Sequence, residues 1–215
     1  MKIFAVGMNY AQHNKEITSE LQQKGVGTSA DDRQRAPVIF TKADSSLLKD
    51  GKPFFVPDHL GRIDYETEVV VRISRLGKSI PEQFAHRYYD AMTVGIDFTA
   101  RDLQKKLREE GQPWEISKGF DGAAVIGEWI EKEKLPDVQA LHFSLNINDE
   151  RRQEGCTSDM LCTVDRLIAY ISQFFTLKTG DLLFTGTPVG VGPVNIDDHL
   201  VGYLEERKVL DFWAK

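Results

Sequence analysis

The segment 63–73 changes side-chain character from one residue to the next, and this period of two is that of a β-strand. Successive strand residues point to opposite faces, so the segment divides into two sets of side chains. The mainly apolar set is Ile63, Tyr65, Thr67, Val69 and Val71, and the acidic set is Asp64, Glu66, Glu68, Val70 and Arg72. The pattern predicts one long strand with an acidic face, which constrains the chain to a fold that contains a sheet.

Other apolar runs predict more strands than helices. Strands are expected over residues 2–6, 37–41, 91–96, 141–148 and 181–184, with two more near the C-terminus. Helices are expected from Asn9 to about Lys24, over 81–89, from a capping box at 99–102 to Gly111, and over 164–175. Because strands outnumber helices and short turns often separate them, a mixed, β-rich α+β fold is favoured over a doubly wound parallel sheet.

The composition narrows the class of protein. Of the 215 residues, 41% are hydrophobic and 28% are charged, which is close to the globular average. These fractions exclude intrinsic disorder, a collagen-like repeat and a coiled coil. No repeat or linker-like tract interrupts the chain, so we expect a single domain over residues 1–215.

The net charge and hydropathy of the chain limit which binding partners and which cellular location are expected. The 33 Asp and Glu residues against 27 Lys and Arg leave a net charge of -6, which argues against nucleic acid or an anionic membrane as partner. No run approaches the roughly 18 apolar residues of a membrane span, and no secretory signal pattern follows Lys2. We therefore expect a cytoplasmic protein. Cys156 and Cys162 lack zinc or disulfide spacing and are expected to be reduced thiols.

Three carboxylates form the first candidate site. Glu66 and Glu68 share one face of the predicted strand with Cβ atoms roughly 7 Å apart, and Asp97 follows the strand 91–96. Like charges so placed repel each other, and a divalent cation would remove the conflict. Oxygen ligands without Cys or His select Mg²⁺, Mn²⁺ or Ca²⁺ over zinc. The alternative interpretation of this spacing is a solvated polar strand face.

His13 and Glu16 form the second candidate, on the helix expected after Asn9. At this spacing the carboxylate can hold the imidazole in one tautomer and raise its basicity, as a general base requires. The alternative is an ordinary surface pair. Because the apolar stripe of the helix is weak and a polar, glycine-containing segment follows it, residues 9–35 are expected to form a mobile lid.

The third candidate is the segment 185–193, Thr-Gly-Thr-Pro-Val-Gly-Val-Gly-Pro, which follows a predicted strand. Glycines let the backbone approach a ligand, and N–H groups with threonine hydroxyls can bind an anion such as a substrate carboxylate. The segment lacks the Gly-Lys-Ser/Thr and third-glycine patterns of nucleotide-binding loops. The alternative is an ordinary turn. Lys118, Arg101 and Gln104 would by default be solvated surface side chains.

Taken together, these segments resemble the fumarylacetoacetate hydrolase family, in particular its short single-domain acylpyruvate hydrolases and oxaloacetate decarboxylases or tautomerases. The likeness covers nearly the whole chain. In order, it runs through Val-Gly-Met-Asn-Tyr-Ala-Gln-His at 6–13, Pro-Val-Ile-Phe-Thr-Lys at 37–42, Tyr-Glu-Thr-Glu at 65–68, Asp-Phe-Thr-Ala-Arg-Asp-Leu-Gln at 97–104, Gly-Gln-Pro-Trp at 111–114, Lys-Gly-Phe-Asp at 118–121, Arg-Gln-Glu-Gly at 152–155 and the loop 185–193. An ordered series is far more specific than any one motif.

The resemblance implies a fold and a set of site residues. The fold would be a mixed β-roll or sandwich with short flanking helices, as in the C-terminal domain of the family, and the protein would be a homodimer. The implied metal is Mg²⁺ or Mn²⁺, with Ca²⁺ as a substitute in crystals, and its ligands would be Glu66, Glu68 and Asp97. The implied catalytic residues are His13, Glu16 and Lys118, and the residues facing the substrate would be Arg101, Gln104, Lys118, Thr187 and Gly186. The chain departs from the family pattern in a longer connection over 18–35 and in Ala43, where proline is common.

The resemblance also implies an activity on small 2-keto acids through a metal-stabilised enolate. The first expectation is hydrolysis of a C–C bond in 2,4-diketo acids, the acylpyruvates, by water that His13 activates. Two further reactions remain open, namely keto–enol tautomerisation and decarboxylation of oxaloacetate-like 2-keto acids. A non-catalytic family member that binds metal or keto acid is the alternative from a different class.

Overall fold

The computed structural model describes residues 1–11 and 36–215. Within these ranges the chain forms fifteen β-strands and four α-helices. The strands are β1 (Ile3–Gly7), β2 (Val38–Lys42), β3 (Leu47–Leu48), β4 (Ile63–Tyr65), β5 (Thr67–Ile73), β6 (Tyr89–Asp97), β7 (Thr99–Ala100), β8 (Ala124–Ile126), β9 (Ile130–Glu131), β10 (His142–Ile147), β11 (Glu150–Cys156), β12 (Leu182–Phe184), β13 (Gly192–Pro193), β14 (His199–Leu204) and β15 (Arg207–Trp213). The helices are α1 (Glu82–Ala85), α2 (Arg101–Glu109), α3 (Glu115–Lys118) and α4 (Val164–Phe174).

Three sheets organise these strands. The largest is mixed and has the order β2-β1-β12-β5-β6-β8-β3, with β9 paired to β6. Its parallel pairs are β1 with β12 and β3 with β8, and its other pairs are antiparallel. An antiparallel sheet has the order β11-β10-β14-β15, and a small one has the order β13-β4-β7. The predicted β-rich α+β fold with short helices is therefore confirmed.

The eight-stranded sheet is buried on both faces. One face packs against the four-stranded sheet, and β5 contributes Val69 and Val71 to this main core. Val70 points to the opposite face, where it joins a second apolar cluster with Ala5 and Phe184. Burial on both sides makes β5 and β6 the most enclosed part of the sheet, and the candidate site lies at one end of these two strands.

The predicted long strand over 63–73 is interrupted at Glu66, so the expectation of one continuous strand is wrong. β4 pairs with β7 and β13, whereas β5 pairs with β6 and β12. Between them the Glu66 carbonyl accepts the backbone N–H of Asp97 at 2.8 Å. The acidic face is not solvated, because Asp64, Glu66 and Glu68 are 2%, 6% and 1% exposed. Because the two halves of the segment pair with different sheets, the acidic face forms the wall of a buried site.

The helix that carries two candidate residues begins differently from the prediction. α2 starts at Arg101, and the preceding Ala100 makes no side-chain cap hydrogen bond. The capping box predicted at 99–102 is therefore wrong, because Thr99 pairs with Asp64 as part of β7. Strand pairing on one side and the helix on the other thus place Arg101 directly beside the acidic face of β4.

The other helices also differ in extent from the predictions. α1 is a single turn rather than a helix over 81–89, because β6 already begins at Tyr89. α4 follows the prediction closely, and the side chain of Thr163 accepts a backbone N–H of its first turn. The helix predicted after Asn9 lies outside the described residues from position 12 onward. The helices of the described residues are all too short or too polar to span a membrane.

Candidate active site

Adjacent ends of β5 and β6 bring three carboxylates together. Glu68 lies in β5 opposite Gly95 of β6, Asp97 is the last residue of β6, and Glu66 immediately precedes β5. One oxygen from each of the three side chains lies within 4.8 Å of the others. All three are buried, with Asp97 only 1% exposed. The residues that the sequence analysis selected as metal ligands are thus neighbours in space.

The electrostatics of this carboxylate cluster, Glu66, Glu68 and Asp97, favour a cation. Burial, and then the charges of Asp97 and Glu66, raise the pKa of Glu68 well above its usual range. The Gly186 amide donates to Glu68 Oε2 at 2.7 Å, which partly opposes this rise. A buried carboxyl whose ionised form is this disfavoured requires compensating positive charge to become an anion.

Lys118 places an ammonium group among the same carboxylates. Its Nζ donates to Glu66 Oε2 at 2.7 Å and to Asp97 Oδ2 at 3.0 Å. Burial acts most strongly and lowers the pKa of Lys118, but the charges of Asp97 and Glu66 outweigh it and raise that pKa overall. Lys118 is therefore a buried cation, not the solvated lysine that its sequence position alone suggested.

A second buried lysine, Lys42, was given no role in the sequence analysis. Its Nζ forms an ion pair with Asp97 Oδ1 at 2.6 Å and donates to the backbone carbonyls of Lys118 and Ala123. Burial lowers the pKa of Lys42, and the Asp97 charge opposes that effect. The one sequence signal was a lysine that ends an apolar strand, and this is insufficient to predict a buried cation.

Arg101 and Gln104 lie next to the cluster on α2. Arg101 donates through Nη2 to Glu66 at 2.5 Å, through Nε to Asp64 at 2.8 Å and through Nη1 to Gln104 Oε1 at 2.8 Å. Burial lowers the pKa of Arg101, but the Glu66 and Asp64 carboxylates outweigh it and raise that pKa. Asp64 is a further residue that the sequence analysis did not select, although the period-two pattern placed it on the same face as Glu66.

The glycine-containing loop 185–193 supports the site from the other side. Gly186 has a φ of +99°, a backbone region that favours glycine, and this conformation directs its amide to Glu68. Thr187 is buried and its Oγ1 accepts a hydrogen bond from Gln153 Nε2 at 2.9 Å. Gln153 in turn accepts the Thr67 amide at 2.9 Å, so it ties the loop to β5. The sequence analysis did not select Gln153.

A cleft that is open to solvent lies beside the cluster. Glu66 is the cluster carboxylate that reaches its surface. The cleft is lined by Val6, Gly7, Met8, Phe40, Glu66, Arg101, Gln104, Arg108, Trp114, Lys118 and Thr187. The structure therefore brings four of the predicted substrate-facing residues, Arg101, Gln104, Lys118 and Thr187, to one cavity, while the fifth, Gly186, faces Glu68.

His13 and Glu16 lie outside the described residues, as does most of the expected lid over 9–35. The described part of that segment is firmly attached to the fold. Asn9 is buried, donates to the carbonyls of Cys162 and Thr185, and accepts the Cys162 amide. Because Thr185 precedes Gly186, these hydrogen bonds hold Asn9 close to the glycine-containing loop.

The residues present fit a hard divalent cation. The cluster offers three carboxylate ligands, without sulfur or nitrogen, and this is the ligand set that Mg²⁺, Mn²⁺ and Ca²⁺ prefer. Glu68 supports the fit, because the described residues give its buried carboxyl a single hydrogen-bond donor, the Gly186 amide. A bound cation would offset both the burial and the mutual repulsion that raise the pKa of Glu68.

The fold, together with a carboxylate cluster that could hold a metal ion, is matched by a known protein family. The family model described as the C-terminal domain of fumarylacetoacetate (FAA) hydrolase matches residues 2–214. The chain belongs to the fumarylacetoacetate hydrolase family, as the ordered motifs predicted.

Its relatives include enzymes that act on keto acids. The mitochondrial oxaloacetate tautomerase of Mus musculus is 36% identical over 198 residues, which cover 92% of this chain and 84% of that protein. The oxaloacetate tautomerase of Escherichia coli K12 is 36% identical over 200 residues, covering 93% of this chain and 86% of that protein. The crystal structure of fumarylpyruvate hydrolase from Pseudomonas aeruginosa in complex with Mn²⁺ and pyruvate is 31% identical, covers 100% of this chain and 89% of that chain, and has a TM-score of 0.88.

Proposed function

We propose that this protein is a divalent-metal-dependent hydrolase that cleaves a C–C bond in small 2,4-diketo acids, the acylpyruvates. The observation that carries the proposal is the buried cluster of Glu66, Glu68 and Asp97 with the Lys118 ammonium bound to two of them. A relative whose structure holds Mn²⁺ and pyruvate supports the substrate class. Phe40 and Trp114 also line the cleft beside the cluster, and their apolar surface suits an acyl group.

Glu66, Glu68 and Asp97 would hold Mg²⁺ or Mn²⁺. That ion, when bound, would supply a Lewis acid that polarises a keto oxygen and stabilises an enolate. Lys118 adds a fixed positive charge beside the same carboxylates, so it stabilises negative charge that develops on the substrate. Because the surroundings hold Lys118 in its charged form, no proton transfer is needed to create this charge.

Two polar side chains in the cleft would orient the substrate. Gln104 accepts a hydrogen bond from Arg101 through Oε1, so its amide NH₂ is the group that remains to donate to a ligand. The Thr187 oxygen accepts from Gln153, so its O–H likewise remains to donate. Arg101 keeps both Gln104 and Glu66 in place. These contacts would hold a keto acid in one orientation, which is the usual contribution of positioning groups to catalysis.

His13 and Glu16 are proposed as the base that activates water and the carboxylate that orients it. Their spacing of three residues in the sequence supports this role. Without such a base, water would not be activated to attack the C4 carbonyl, and the bond between C3 and C4 would stay intact. An enolate of the intact substrate would then only be reprotonated, which is tautomerisation.

Keto–enol tautomerisation of oxaloacetate is the second candidate function. Two relatives at 36% identity are named oxaloacetate tautomerases, which favours this reaction specifically. Both candidate reactions pass through an enolate, so the same residues would serve either one.

The test is a parallel assay of the purified protein on acetylpyruvate, fumarylpyruvate and enol-oxaloacetate, after removal of metals with EDTA and again with Mn²⁺ added. We expect metal-dependent turnover, which Glu66→Gln abolishes together with tight Mn²⁺ binding. Lys118→Met should lower kcat by about 10²–10³-fold. The matched control is Glu154→Gln, a carboxylate of β11 that is 67% exposed, and it should behave like the wild type.

Each outcome decides between the candidates. Release of pyruvate from a diketo acid identifies the hydrolase, and oxaloacetate interconversion without it identifies the tautomerase. Mn²⁺ binding without turnover of any of the three compounds would show a non-catalytic binding protein. Full activity of Glu66→Gln would show that the carboxylate cluster is not the metal site.

A further inference from the structure

One wall of the cleft is a pair of aromatic rings with a cation at each end. Phe40 and Trp114 meet edge to face, with ring centroids 5.9 Å apart. Lys118 Nζ lies 5.3 Å from the Phe40 centroid, and Arg108 Cζ lies 5.4 Å from the Trp114 centroid. Lys118 is the cation beside the carboxylate cluster, so Arg108 marks the opposite end of this aromatic wall.

Helix α2 places Arg108 on the cleft face at a defined distance from the cluster. Gln104 and Arg108 follow Arg101 by three and seven residues. At 3.6 residues per turn, all three side chains share one face of the helix. All three line the cleft. With a rise of about 1.5 Å per residue, Arg108 lies about 10 Å along the helix axis from Arg101. Arg101 donates to Glu66 and Asp64, so it belongs to the cluster end, whereas Arg108 lies beyond it.

Arg108 is suited to bind an anion at this position. It is half-buried, and a guanidinium has five N–H donors in a planar fork that matches a carboxylate. Contact with the Trp114 ring restricts the side chain, which lowers the entropy lost when a ligand is bound. Partial burial also strengthens the attraction between the guanidinium and a carboxylate relative to water.

We propose that Arg108 binds a second carboxylate of the substrate and so selects 2-keto dicarboxylic acids whose far carboxylate lies at the end of an extended chain. This inference rests on the proposed function, because it takes the keto-acid end of the substrate to lie at the carboxylate cluster. Phe40 and Trp114 would lie along the chain between the two ends, where flat aromatic rings favour a planar, conjugated segment. Fumarylpyruvate has such a chain and a second carboxylate, whereas acetylpyruvate has neither.

The experiment compares two substrates and three variants. Arg108→Gln removes the charge, Arg108→Lys retains it, and Lys106→Gln removes one positive charge from an exposed position of the same helix outside the cleft face. kcat/KM is measured for fumarylpyruvate and for acetylpyruvate with Mn²⁺ present. Binding of oxalate, which engages only the chelating end, and of fumarylpyruvate is measured by calorimetry.

We expect Arg108→Gln to lower kcat/KM for fumarylpyruvate by about 10- to 100-fold, mainly through KM, as the loss of a charged hydrogen bond predicts. Arg108→Lys should recover part of this loss. For acetylpyruvate, and for oxalate binding, Arg108→Gln should equal the wild type. Lys106→Gln should equal the wild type throughout.

The inference is overturned if Arg108→Gln leaves fumarylpyruvate kinetics unchanged, or if it weakens both substrates equally, because Arg108 would then only support Trp114. Absence of wild-type turnover on both substrates is a failure of the proposed function instead. In that case the fumarylpyruvate affinities of wild type and Arg108→Gln still decide the role of Arg108, and equal affinities refute it.

Discussion

Replacement of Lys42 by methionine tests whether the site depends on a buried cation that does not line the cleft. The Lys42 side chain is 0% exposed, and its ammonium pairs with Asp97 Oδ1 at 2.6 Å and donates to the carbonyls of Lys118 and Ala123. Methionine fills nearly the same volume, so little cavity is created. The substitution leaves one buried carboxylate oxygen and two buried carbonyls without this donor.

The size of the effect follows from these contacts. Breaking a buried ion pair by removing one partner costs about 3–5 kcal/mol. Asp97 keeps Lys118 on its other oxygen at 3.0 Å, so the loss should lie at the low end of this range. For a chain of this length, a loss of about 3 kcal/mol lowers Tm by about 6–12 °C. The weakened hold on Asp97 should also reduce Mn²⁺ affinity, by about 10- to 100-fold if Lys42 acts as residues that orient metal ligands usually do.

The assay is urea unfolding in EDTA, followed by Mn²⁺ titration of the folded variant. Lys2→Met is the matched control, because Lys2 also forms a 2.6 Å ion pair with a buried aspartate, Asp181, but its own side chain is 33% exposed. A partly exposed pair contributes about 0–1 kcal/mol. If Lys42→Met and Lys2→Met lose the same free energy of unfolding, the argument from burial is refuted.

Two further predictions concern groups around the cluster. Burial and the neighbouring charges raise the pKa of Glu68, so the metal-free folded protein keeps a proton that the unfolded chain loses. The free energy of unfolding should therefore fall as pH rises from the usual carboxyl pKa toward the raised pKa of Glu68. Glu68→Gln should flatten this slope in urea titrations with EDTA, and an unchanged slope would identify another source. Gly186→Ala should cost about 1–3 kcal/mol, since φ is +99° and the new Cβ would lie 2.8 Å from Asn9 Cβ. Gly180→Ala, with φ +87° and no atom within 4 Å, should cost less in the same unfolding assay, and equal losses would exclude a role for the Asn9 contact.

The period-two pattern over 63–73 was sufficient to predict an acidic strand face, because side-chain direction along a strand depends only on local geometry. It could not predict the interruption at Glu66. The two halves of the segment pair with different sheets, and pairing partners are contributed by distant parts of the chain, β6 and β12 for one half and β7 and β13 for the other. The pattern therefore placed the carboxylates on one face but left open whether that face is solvated or forms a metal site.

The residues of the site also differ in whether the sequence alone could identify them. Glu66, Glu68 and Asp97 could be selected from sequence because three carboxylates at these places match a family pattern. Lys42 and Gln153 could not, because a lysine after an apolar strand and a glutamine in a charged strand have many ordinary explanations. Their contacts connect residues 55 and 86 positions apart, as in the pairs Lys42 with Asp97 and Gln153 with Thr67.

The sequence alone thus determined the β-rich class, the family and the identity of the charged groups, since these follow from local periodicity and from ordered motifs. The tertiary structure decided which charges are buried, which of them pair, and where the cleft ends. Burial and long-range pairing depend on how whole sheets stack. The stacking places the three carboxylates close together and out of solvent, where their mutual repulsion favours a bound cation. It also placed Arg108 at the far end of an aromatic wall, a position that its place in the sequence of α2 does not reveal.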